Sequence, residues 1–140
     1  MRSSSAAVVL SLFLVGIADA ALGSPPPGTV LNQNTVFDAD VDASGWTGVV
    51  YPIGADNITI DGAGHRILAS DASAVFDFSN RTGVHITNFR IEATKTAIQA
   101  SGASTSTVDT CTIAGSPATA LSMWSADEIR IANVTALNRV

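Results

Sequence analysis

The chain has 140 residues, of which 46% are hydrophobic and 14% charged, and its net charge at neutral pH is −5. That length leaves room for one domain at most. The seven Lys and Arg residues are scattered, so they form no basic surface for a phosphate backbone, and so apolar a composition is not that of a disordered chain.

Residues 1–20 have the zones of a secretory signal peptide. Arg2 supplies the positive start, Ala6 to Ile17 is apolar or small throughout, and Ala18-Asp19-Ala20 is a small-x-small cleavage site. A spanning helix needs about 20 apolar residues, whereas this run ends at Ile17. The expected product is secreted: extracellular, at a cell surface, or periplasmic in a Gram-negative cell. Cys111 is the sole cysteine, so no intramolecular disulfide is available. Residues 21–34, with Ser24-Pro-Pro-Pro-Gly28, read as a short stiff linker.

From residue 35 to 140 the chain repeats. Ile58-Thr-Ile60, Val84-His-Ile86, Ser106-Thr-Val108 and Ile129-Arg-Ile131 align with one another. Eight residues before each lie Val50, Phe76, Ile98 and Leu121, followed two positions later by Pro52, Phe78, Ala100 and Met123. Downstream, Ile67, Ile91, Ile113 and Ala136 match once Gly62 to Gly64 is given a two-residue insertion. Within each segment apolar and polar residues alternate, the period of a strand with one buried face. Three short strands in each coil of about 22 residues predict an all-β solenoid of about four coils, each burying its inner row against the next. The Leu-x-x-Leu-x-Leu pattern of a leucine-rich repeat is absent.

Asn57-Ile-Thr-Ile-Asp-Gly-Ala-Gly-His-Arg-Ile67 resembles the opening coil of pectin-lyase-like right-handed parallel β-helix proteins, and Thr35-Val-Phe-Asp-Ala-Asp-Val41 resembles their first, capping strand. The resemblance implies a right-handed parallel β-helix. It carries little about activity, since one scaffold hosts many functions. Gly64-His65-Arg66 is similar to the Gly-His-Gly signature of polygalacturonases, but Arg66 replaces the second glycine, and that family's Asn-Thr-Asp and paired-aspartate motifs are missing. No residue is therefore assigned a catalytic role.

Outward positions form further rows: Thr59, His85, Thr107 and Arg130; Asp61, Thr87, Asp109 and Ala132; Tyr51, Asp77, Gln99 and Ser122. Pectate lyases use outward acidic residues to hold calcium and an arginine as base. On that resemblance calcium is the one cofactor to consider, but Asp61 and Asp109 sit two coils apart, about 10 Å, and no metal ligand set is assigned. Trp124, Tyr51, His85 and Arg130 are the candidate carbohydrate contacts, and Trp46 is a further ring that could stack on a sugar. Asn57-Ile-Thr, Asn80-Arg-Thr and Asn133-Val-Thr are glycosylation triplets in a eukaryotic secretory route. Asn88, Thr110 and Asn133 share a turn position with Gly62, and Cys111 falls in an inward row with Phe89 and Val134.

No polar cap follows the last matched strand, so the fold is expected to be cut off at its C-terminal end, with further coils or another chain covering it. The expected function is a non-catalytic carbohydrate-binding, adhesive or structural surface module. The alternative is the N-terminal part of a lyase, hydrolase or epimerase acting on acidic polysaccharide.

Overall fold

The computed structural model describes residues 21–115 and 119–137. The expected signal peptide and the final Asn138-Arg139-Val140 lie outside the described residues. Thirteen strands and no helix make up the described chain: β1 (Ala21–Leu22), β2 (Thr35–Val36), β3 (Val41–Asp42), β4 (Val49–Pro52), β5 (Thr59–Asp61), β6 (Arg66–Ala69), β7 (Ala74–Asp77), β8 (His85–Thr87), β9 (Arg90–Ala93), β10 (Thr96–Gln99), β11 (Ser104–Gly115), β12 (Thr119–Ser122) and β13 (Asp127–Ala136). Every pairing between them is parallel. The chain is an all-β solenoid of about four turns.

Three faces wind around one core. The first carries β1, β2, β5, β8 and the opening halves of β11 and β13; the second carries β3, β6, β9 and the closing halves. Because β11 and β13 run unbroken round the corner, these two faces form one nine-stranded sheet. The third face is the separate sheet β4, β7, β10, β12.

The expected register holds on the first two faces. Ile60, Ile86, Val108 and Ile131 are partners in successive strands, as are Ile67, Ile91, Ile113 and Ala136. Burial stabilises each inner aliphatic side chain by about 1.5–3 kcal/mol. The last described coil is the exception: Ile86 is 0% exposed but its row-mate Ile131 is 40% exposed.

On the third face the register differs by one residue in the first matched coil. Tyr51, not Val50, pairs with Phe76, and Pro52 pairs with Asp77. The corner from β4 to β5 is one residue shorter than the later corners, and a one-residue slip reassigns every side chain to the opposite face. Tyr51 is therefore a core residue. Its ring stacks on Phe76 at 5.7 Å and meets Phe37 edge-on at 5.3 Å, while Phe89 lies 5.0 Å from Phe37 and 4.9 Å from Phe76.

Residues 21–34 are bonded to the solenoid. β1 pairs with β2, Leu31 bridges Ile53, and the Gly28 amide donates to the Val50 carbonyl. The buried Tyr51 hydroxyl donates to the Pro25 carbonyl at 2.5 Å, and the Trp46 indole lies over Gly28, where a side chain would collide with it. A buried phenol needs a partner for its O–H, and the proline run supplies it. Composition alone gave no sign of that bond.

The corners share one backbone solution. Asn88, Thr110 and Asn133 take φ of 59°, 51° and 52°; Asn57, Gly83, Thr105 and Glu128 take 57°, 72°, 47° and 53°; Asn80, Gly102 and Ser125 take 62°, 70° and 51°. Left-handed backbone suits Gly and Asn best. At two of these corners glycine has a second reason to be present. The carboxamide of Asn57 lies against Gly83 and that of Asn80 against Gly102, where a Cβ would have no space.

Candidate functional site

The outward side of the first face holds the largest group of ionisable residues that the sequence singled out. β5, β8, β11 and β13 set Thr59, His85, Thr107 and Arg130 in one row, and Asp61, Thr87, Asp109 and Ala132 in the next. Parallel strands in register, about 4.8 Å apart, convert a repeat in sequence into a ladder in space.

Within this ladder His85 Nε2 approaches Asp109 Oδ1 to 3.2 Å, across neighbouring coils. The contact is a close approach of the two side chains rather than a hydrogen bond. The Thr87 hydroxyl, donating to Asp109, and then the His85 imidazole hold the Asp109 carboxyl below its ordinary value of 3.8. Asp61 Oδ1 accepts from the Ala63 amide at 2.8 Å and from Asn88 Nδ2 at 3.1 Å. The two carboxylates considered for calcium are thus each engaged by protein groups, on separate coils. Among the described residues no three His, Cys, Asp or Glu side chains converge as a metal site.

A depressed carboxyl stabilises the fold above its unfolded value, and that contribution disappears as the pH falls through the folded one. Asp109→Asn is therefore expected to melt below wild type at pH 7. The difference should shrink once the pH drops below about 4, which thermal melts at pH 7 and pH 3 will show.

The other candidates fall in different places. Tyr51 is withdrawn as a sugar contact: it is fully buried, so no ring face reaches solvent, and burial pushes its phenol well above the ordinary value. Arg130 is exposed on β13, separated from His85 by Thr107. Trp124 is 74% exposed beyond the end of β12, on the third face, so the structure does not bring it together with the His85 ladder. Trp46 is fixed by its indole N–H donating to the Val49 carbonyl at 3.0 Å. Of the glycosylation triplets, Asn57 and Asn80 lay their carboxamides on the following coil, and Asn133 is exposed at a corner within β13.

His65 sits immediately before β6, its Nδ1 3.3 Å from Asp40 Oδ1. The Arg66 backbone amide donates to the same oxygen at 2.9 Å, and this bond followed by that of His65 lowers the Asp40 carboxyl. This arrangement closes a corner and leaves the imidazole tied to a carboxylate. The second face adds a set that sequence reading missed: Arg66 and Arg90 are register partners, and Glu92 Oε2 lies 3.1 Å from Arg66 Nη1 and 4.0 Å from Arg90 Nε. The signal was available as Arg66 and Arg90 one coil apart, once the insertion at Gly62 to Gly64 is counted. Cys111 is buried beside Val134 in its inward row, and burial pushes its thiol up to about 11. It packs as a small apolar group.

Comparison with known proteins returns no match to a family model, to a curated protein or to a solved structure.

Proposed function

We propose that this chain belongs to a secreted, pectin-lyase-like β-helix module that binds glycan at a surface without cleaving it. The observation that carries the reading is the pairing of ionisable side chains from coil to coil. His85 with Asp109 and Arg66 with Glu92 pair across neighbouring strands, and His65 with Asp40 pairs at a corner. General acid–base work needs groups converging within hydrogen-bond reach of one reacting centre, whereas a ladder of hydroxyls and amides at strand spacing suits a long, repetitive ligand. Two results are expected: the purified protein binds members of a printed glycan array, and it releases no unsaturated product from polygalacturonate or alginate, with or without calcium.

The second reading, part of a lyase, hydrolase or epimerase for acidic polysaccharide, draws on the His85–Asp109 contact with Arg130 further along the row. A rise in product absorbance that Asp61→Ala or Arg130→Ala abolishes would establish it in place of the first.

A further inference from the structure

Three strands of the third face end in a small grid of outward side chains. Asp77, Gln99 and Ser122 are register partners on β7, β10 and β12. Two residues beyond the end of each strand, in the corner that follows, come Ser79, Ser101 and Trp124. Ser101 donates its amide to Ser79 Oγ at 3.0 Å, and the Gly102 amide donates to the Trp124 carbonyl at 2.7 Å, so this second row is also held in step. The residues between the rows on the two inner strands, Phe78 and Ala100, are buried. Strand alternation puts Asp77, Gln99 and Ser122 on the outer side, and in the corner beyond them Ser79 and Ser101 are half-buried and Trp124 is exposed. Trp124, at 74% the most exposed of the large hydrophobic residues described, is the one apolar member among five polar ones.

We infer that this grid is a binding site for an uncharged pyranose unit of a glycan chain, with Trp124 as the stacking platform. This inference rests on the glycan-binding reading and assigns that reading its site and ligand class. Neighbouring positions are about 4.8 Å apart across the strands, the scale of a single sugar ring. An indole with one face in water stacks on the apolar face of a pyranose, and the groups beside it meet the sugar's hydroxyls. Among the described residues the Gln99 carboxamide and the Ser122 hydroxyl take no partner, so both remain available to a ligand. Asp77 Oδ1 is bonded by the amide and the hydroxyl of Ser79, at 2.9 and 2.6 Å, which fixes the acceptor at the far side of the grid. Charge selects the ligand class. The grid contains one carboxylate and no cation, and the whole chain carries −5, so a uronate or sulfated sugar is repelled where a neutral one is not.

The test is isothermal titration calorimetry of the wild-type chain with neutral hexasaccharides of glucose, xylose and mannose, and with hexagalacturonate as the acidic comparator. At least one neutral hexasaccharide should bind. Trp124→Ala should weaken that binding by about tenfold or more, as loss of a stacked tryptophan anchor does, with an unchanged melting temperature because the ring is solvent-facing. Gln99→Ala should weaken it less, and Trp46→Phe should leave it unchanged. Binding that survives Trp124→Ala, or that favours hexagalacturonate, overturns the site while leaving glycan binding in place. A protein that binds no glycan on the array and none of the four oligosaccharides overturns both.

Discussion

Ile86→Asp is expected to leave the protein without a cooperative fold at 25 °C. Ile86 is fully buried between Ile60 and Val108, one strand to either side. A carboxylate there has no cation within the row and no exposure to solvent. Burying a charge unpaired costs several kcal/mol, a large part of the 5–15 kcal/mol by which domains are typically stable. Protonation would relieve part of that cost and still leave a polar group without a partner. Circular dichroism should lose the β-sheet signal of wild type, while the control Ile86→Val should retain it and lose only about 0.5–1.5 kcal/mol. A cooperative melt of Ile86→Asp at the wild-type temperature would contradict the assigned inner row.

Phe76→Ala should cost about 3–5 kcal/mol, the range for emptying a buried aromatic position. Phe76 stacks on Tyr51 and lies against Phe89, and Phe37 touches both of those rings. Removing it leaves two aromatic neighbours, Tyr51 and Phe89, facing a void that parallel ladders on either side prevent from closing. The cost should therefore fall in the upper part of that range, and Phe76→Leu should recover much of it. Urea titration of the three proteins gives the comparison directly, provided that the slopes agree.

The fold was legible because a solenoid writes its core as a period. The rows through Ile86 and Ile91 required only that apolar residues recur about every 22 positions, and neighbouring coils then stack by necessity. The row through Phe76 was legible in three coils and misplaced in the first. Val50, Tyr51 and Ile53 are all apolar, so alternation alone did not show that the corner after β4 had lost a residue. That slip is what made Tyr51 look outward. The segment at residues 21–34 was opaque for a different reason. Its prolines carry no strand period, and it is anchored by carbonyls, as at Pro25, which every residue possesses. Outward positions were located well, as the His85, Thr107 and Arg130 row shows, because facing is set by the same alternation. Which of them interact was not legible, since the His85–Asp109 contact runs diagonally between rows and depends on side-chain rotamers.

From β2 onward, each strand pairing joins residues 22 to 26 positions apart, as in Thr107 with His85 and Ile60 with Ile86. No pairing reaches further, however many coils are stacked. The entropy of closing a loop grows only slowly with its length, about 0.6 kcal/mol per doubling, so every coil closes against its neighbour at nearly the same cost. Under tension applied to the two ends, such a chain should peel like a spooled thread. Each coil would yield at a similar force and release about 22 residues of slack, roughly 75 Å when extended. A force trace of evenly spaced steps would be the mechanical signature of the register described for its strands.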